Sequence, residues 1–240
     1  MTMLSRRAVL SLAGTTFASG LVATAAARQT RPRGRVIRTL GGDLDPAAIS
    51  GAVLFHEHLS MRFPLDASAH FTDDVALMVA EARAARSDGV GLIVDGGHPD
   101  MHRRLDALSR ITTESGLPLV ASGGYYMQRS YPPELETMPA ERIADLLVRE
   151  AARDRLGAFG EIGQQGGLLT ATETTVLQAV ALASVRTGLP VFTHNPYLGV
   201  RPGAADIPPE AALRQLDILE KAGAAPGSLA IGHVCCLHAP

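Results

Sequence analysis

From Ala52 onward the chain repeats one arrangement of hydrophobic and polar positions: a short apolar run, a loop, an amphipathic stretch, a glycine, and another apolar run. The apolar runs are Ala52 to His56, Leu92 to Asp95, Pro118 to Ser122, Ala158 to Ile162, Pro190 to His194 and Leu229 to His233. Each is nearly continuous, as expected for parallel strands covered on both faces. Between them the apolar positions follow the helical period. Val75, Met78, Val79 and Ala82 form one stripe, Ile143, Leu146, Leu147 and Glu150 frame a second, and Val176, Ala179, Val180 and Ala183 form a third. Gly89, Gly116, Gly188 and Gly223 stand where each helix should end in a left-handed residue. This is the grammar of βαβ crossovers, and it predicts an α/β fold, a TIM (β/α)8-type barrel. Only six of eight β/α units precede Pro240, and a six-stranded open sheet would leave apolar edges. The chain is therefore expected to be the N-terminal part of a longer barrel.

The residues before Ala52 change the picture at one end. Ser5-Arg6-Arg7-Ala8-Val9-Leu10 is a twin-arginine pattern, followed by a mild apolar run to Ala23 and a small-residue cleavage site at Ala25-Ala26-Ala27. Gly14, Thr15, Thr16, Ser19 and Gly20 interrupt that run, which falls short of the roughly 20 apolar residues a membrane helix needs. We expect residues 1–27 to be an export signal, residues 28–240 to be one barrel domain, and the mature protein to be periplasmic or secreted without membrane contact. Twin-arginine export carries folded cargo, so the domain would fold before leaving the cytoplasm.

Charge narrows the partners. The signal holds two of the 22 basic residues and no acid, so the mature part carries 22 − 2 = 20 basic against 24 acidic groups. That balance offers no attraction to a phosphate backbone, and nucleic acid is excluded as an expected partner. Cys235 and Cys236 are adjacent, which rarely permits an unstrained disulfide, and they read as small buried hydrophobes first and as site-lining thiols second.

The chemistry-bearing residues recur at one place in the repeat, the C-terminal ends of the strands. In extended backbone residues i and i+2 share a face, so His56 and His58 point the same way and can chelate one metal, while Glu57 points away. Glu161 ends the fourth run, His194 the fifth and His233 the sixth. Four imidazoles and one carboxylate on the face where barrel enzymes keep their chemistry suit zinc first, with manganese, cobalt or iron(II) as alternatives. Asp95 is expected to orient a ligand or loop. His98 is a candidate pocket residue, and His70 and His102 are expected at the surface, with His238 off the pattern. The arginine-rich stretches Arg83 to Arg86 and Arg149 to Arg155 are expected to be solvated helix faces.

From about Gly34 to Pro240 the sequence resembles the phosphotriesterase family of the amidohydrolase superfamily. The resemblance rests on Gly51-Ala52-Val53-Leu54-Phe55-His56-Glu57-His58, on Ala85-Arg86-Ser87-Asp88-Gly89-Val90 leading into Ile93-Val94-Asp95, on Ser122-Gly123-Gly124-Tyr125-Tyr126, on Gly160-Glu161-Ile162-Gly163, and on Arg186-Thr187-Gly188-Leu189-Pro190-Val191 into His194. It implies two divalent metal ions, with His56 and His58 on the more buried one, His194 and His233 on the more exposed one, and Glu161 as bridge. Many relatives bridge with a carboxylated lysine, but the only lysine here, Lys221, lies before the sixth strand. The resemblance further implies a metal-bridged hydroxide that attacks a phosphotriester, ester or lactone, with Glu161, Tyr125 and Tyr126 as catalytic candidates. The substrate would be a small ester or lactone, and a homodimer is left open. A final aspartate ligand, which the family places at the end of an eighth strand, has no counterpart before Pro240. Two alternatives remain at this point: a TatD-like metal-dependent nuclease, and a catalytically silent metal-binding fragment.

Overall fold

A computed structural model describes residues 34–62, 72–196, 208 and 210–234. The expected export signal, His70, Cys235, Cys236 and His238 lie outside the described residues. Among the described residues no helix is long and apolar enough to cross a membrane.

All six expected strands form. They are β3 (Ala52–Glu57), β4 (Val90–Asp95), β5 (Leu119–Gly123), β6 (Ala158–Gly163), β7 (Val191–His194) and β8 (Leu229–Gly232), preceded by a small hairpin of β1 (Ile37–Thr39) and β2 (Gly42–Leu44). Strands β3 to β8 pair in parallel and in chain order. The connecting helices are α1 (Val75–Ser87), α2 (Leu105–Ser115), α3 (Ala140–Arg153), α4 (Ala171–Thr187) and α5 (Ala211–Lys221). The result is a curled half-barrel of consecutive β/α units.

Each strand is apolar because both of its faces are covered. Ile93, Leu119, Ala121, Phe159 and Val191 join the main core with the helix residues Val79, Leu108, Ile143, Leu147, Val176 and Val180. Their alternates Leu92, Val94, Val120, Ala158 and Phe192 form a second, smaller cluster, with Ile37, Ile49 and Ala230 packed against it. The β1–β2 hairpin leaves no signal in the sequence, because its strands of three residues are too short to show a period. It docks at the start of the strands: the Leu40 amide donates to the Leu119 carbonyl at 2.9 Å. Gly157 permits that approach, since a Cβ there would lie 2.4 Å from the Arg38 carbonyl oxygen.

The helix boundaries follow local chemistry. Asp74 caps α1 by accepting the Leu77 amide at 3.0 Å. Thr170 and Glu173 form a reciprocal capping box at the start of α4. Gly116 and Gly188 end α2 and α4 in the left-handed region, at φ of 68° and 74°, as the glycine positions predicted. The arginine stretches lie on exposed helix faces, where Arg83 and Arg86 donate to carbonyls at the end of α2.

Burial separates the sensitive positions from the tolerant ones. Leu147 on α3 is fully buried, whereas Val185 on α4 is 58% exposed. Leu147→Ala is expected to lower unfolding free energy by about 2–5 kcal/mol in urea titration, through lost burial and the cavity left behind. Val185→Ala should stay within about 0.5 kcal/mol of the parent.

Candidate metal centre

Every expected donor sits at or just beyond the C-terminal end of its strand, and the curl of the sheet brings them together. The focus is Glu161, near the end of β6 and only 2% exposed. One of its oxygens, Oε2, lies 2.6 Å from His56 Nε2, 2.6 Å from His194 Nδ1 and 3.8 Å from His233 Nε2. The other, Oε1, lies 3.1 Å from His58 Nε2. Thus His56 and His58 do share a face of β3, and they address the two oxygens of one carboxylate. Strands β3 and β8 are the opposite edges of the sheet, yet the His56 and His233 rings stand with centroids 5.0 Å apart, and those of His194 and His233 4.4 Å apart.

Local backbone explains the convergence. At Gly160, where φ is +147°, a Cβ would lie 2.4 Å from the Phe192 ring, so only glycine lets β6 pack there and deliver Glu161. His233 takes a left-handed φ of 53°, which turns its ring off the end of β8. Behind the donors, Asn195 donates from Nδ2 to the Gly232 carbonyl at 2.8 Å, and Gln215 donates from Nε2 to the His194 carbonyl at 3.2 Å. These amides tie the ends of β7, β8 and α5 together.

The electrostatics are those of a site built for positive charge. Burial alone would push the Glu161 carboxyl up, but the His194 imidazole, hydrogen bonds from His194 and His56, and the nearby His233 ring hold it well below the usual carboxylate range. Burial alone would lower His58, but its hydrogen bond to Glu161 and the charges of Glu161, Asp95 and Glu57 raise it instead. His58 Nδ1 is buried without a hydrogen-bond partner. Ligating atoms of His56, Glu161, His194 and His233 all lie within 4.8 Å of one another. A borderline-soft divalent cation fits this nitrogen and carboxylate set, since it would satisfy donors that otherwise crowd one oxygen.

The remaining candidates separate. Asp95 is fully buried and accepts the amides of Leu59 at 2.6 Å and Gly97 at 3.0 Å, so it shapes the turn after His58. Tyr126 brings its hydroxyl to 3.2 Å from His194 Nε2. Tyr125 instead packs edge-on against Tyr131, at 6.1 Å between centroids, beside an open cavity of about 330 Å³ that Arg129 and Ser130 also line. Burial pushes the Tyr125 hydroxyl up to about 12 and that of Tyr126 higher still. His98 is fully buried rather than lining an open pocket, with Nδ1 3.5 Å from Asp100 Oδ1, and His102 is exposed. Asn195, Gln215 and Asp100 carry no motif in the sequence, and only the fold shows where they act.

Strand order and donor convergence define the class, a β/α-barrel protein with a histidine and carboxylate cluster at the strand ends. The chain belongs to the phosphotriesterase family, whose profile matches residues 35–237. It is 28% identical to an N-acetyltaurine hydrolase of Danio rerio over 229 residues, covering 80% of this chain and 62% of that protein. Among solved structures it is similar to the phosphotriesterase homology protein of Escherichia coli complexed with phosphate in its active site, at TM-score 0.68 and 26% identity, covering 78% of this chain and 63% of that one. It is likewise similar to a resiniferatoxin-binding protein of Rhodobacter sphaeroides, at TM-score 0.68 and 28% identity, covering 82% and 63% of the two chains. The chain thus spans less than two thirds of the length of these relatives.

The depressed carboxyl of Glu161 has a consequence for stability without metal. A group whose folded pKa lies below its unfolded value stabilises the fold above the unfolded pKa, and that contribution is lost as pH falls through the folded one. In the presence of chelator, wild type is expected to exceed Glu161→Gln in unfolding free energy at pH 7. The gap should narrow once pH drops below about 4.3, the ordinary glutamate value. Paired urea titrations at several pH values check this; a gap independent of pH would contradict it.

Proposed function

We propose that the chain is the catalytic barrel of a metal-dependent hydrolase that cleaves phosphotriester, ester or lactone bonds of small molecules. The observation that carries this reading is the meeting of four imidazoles from three strand ends on one buried carboxylate. In this reading His56 and His58 would hold one of two divalent cations, His194 and His233 the other, and Glu161 would be shared between them. Zinc is the first candidate, with manganese, cobalt or iron(II) behind it. When bound, such a pair supplies Lewis acidity and lowers the pKa of water towards about 7.

The protein's own groups do the rest. Glu161 keeps its charge throughout the working pH range, because its neighbours hold its carboxyl low, so it stays available as a ligand. Tyr126 keeps its proton for the opposite reason, since burial raises it, and its neutral hydroxyl stands beside His194 Nε2 as a hydrogen-bond partner rather than as a base. Asp95 fixes the turn after His58 through two amides and so maintains the chelating pair. The hydrolase named for N-acetyltaurine among the relatives extends the bond types worth testing to amides. The twin-arginine pattern at Ser5-Arg6-Arg7 supports export to the periplasm or beyond as part of the same reading.

The test is an assay of metal-loaded protein against a lactone, a diethyl aryl phosphotriester and an N-acetyl amide, with duplex and single-stranded DNA alongside. Turnover of at least one small substrate is expected, with loss on chelation and recovery on adding zinc, manganese or cobalt. Glu161→Ala should lower that rate by more than about 100-fold, beyond what losing an outer hydrogen-bond partner costs. DNA cleavage without small-molecule turnover would replace this reading with the nuclease one. Metal uptake without any turnover would identify a silent binding domain.

A further inference from the structure

We propose that Asp100 is a positioning residue of the metal centre, holding His194 in place through the Tyr126 loop; this rests on reading the histidine and Glu161 cluster as a metal site. Asp100 lies in the short 3-10 turn Pro99–Met101 after β4, on a different loop from every donor, and its side chain is 2% exposed. Its Oδ2 accepts the Tyr126 amide at 2.9 Å and the Ser130 hydroxyl at 2.8 Å. One carboxylate oxygen therefore gathers both ends of the turn that follows β5.

The other side of Tyr126 is held as firmly. Its carbonyl accepts the amide of Gly163, two residues beyond Glu161 on β6. A Cβ on Gly163 would sit 2.3 Å from that carbonyl oxygen, so the two backbones meet only because glycine stands there. Arg129 adds a third tie, its amide donating to Gln165 Oε1 at 2.9 Å. With both flanking peptides held, the Tyr126 Cα is fixed beside β6, and from there the ring brings its hydroxyl to 3.2 Å from His194 Nε2. The other nitrogen of that ring, Nδ1, faces Glu161 Oε2 at 2.6 Å. A partner on the outer nitrogen of a ligand histidine fixes its orientation and tautomer. Asp100 thus reaches the metal centre through two links, from its carboxylate to the Tyr126 backbone and from the Tyr126 hydroxyl to His194.

The experiment is a double-mutant cycle on the full chain, reading zinc affinity by chelator competition, the visible absorption of the cobalt form, and melting temperature in parallel. Asp100→Ala is expected to weaken zinc binding by about 10–100-fold and to alter the cobalt spectrum. Asp100→Asn keeps an oxygen that accepts the same two hydrogen bonds and should stay within about twofold of wild type. Most tellingly, Asp100→Ala introduced into Tyr126→Phe should weaken binding by no more than about twofold beyond Tyr126→Phe alone, because the path is already cut. Wild-type affinity in Asp100→Ala would overturn the proposal, and so would a loss that recurs in full on the Tyr126→Phe background, the mark of a general effect on folding. Failure of the wild type itself to take up zinc or cobalt would instead overturn the metal-site reading beneath it.

Discussion

A single buried carboxylate organises this molecule. An ionised glutamate out of water is costly unless its charge is met, and Glu161 is met by four imidazoles rather than by arginine or lysine. That choice matters because imidazole can be a neutral ligand as well as a cation. These groups can therefore compensate one another without metal, and His56, Glu161, His194 and His233 stand close enough together to hold one. Much of the fold serves this meeting point: the curl that brings the two edge strands together, glycine at 160 that admits Phe192, and the amides of Asn195 and Gln215 behind β7.

The arrangement also shows a division between the two ends of the sheet. The starts of the strands are closed by apolar contacts and by the β1–β2 hairpin, where the Leu40 amide is bonded to the Leu119 carbonyl and Ile37 packs on the smaller apolar cluster. The strand ends carry the titratable groups, and their loops are tied to one another by polar contacts such as those of Asp95 and Asp100. Stability and chemistry are thus separated along the strand axis, as expected of a barrel.

Much of this was legible in the sequence, and the reasons are physical. Strands buried on both faces write continuous apolar runs, and helices that end on glycine write their own stops, so six strands and their order could be read directly. The donors were legible because each ends such a run: His56 and His58 by their spacing, Glu161, His194 and His233 by their place. The hairpin was not, since three-residue strands have no period to detect. Tyr125 and Tyr126 were adjacent candidates that sequence could not separate. Neighbouring residues in a loop point in different directions, and only the ties on the Tyr126 peptide decide which ring meets His194. Asp100, Asn195 and Gln215 left no trace because their partners are distant and mostly backbone atoms, which every residue has.

The proximity of His56 and His233 joins points separated by 233 − 56 = 177 residues. Closing so long a span costs chain entropy, though the cost grows only slowly with length, and contacts of this kind form late in folding. As the chain leaves the ribosome, His56 and His58 emerge long before His233. The coordination sphere described here becomes available only after β8 has been made, so an early cation would meet an unfinished set of donors. A cation held by His56 and His233 together would fasten the first β/α unit to the last described strand, and its occupancy would report on their meeting.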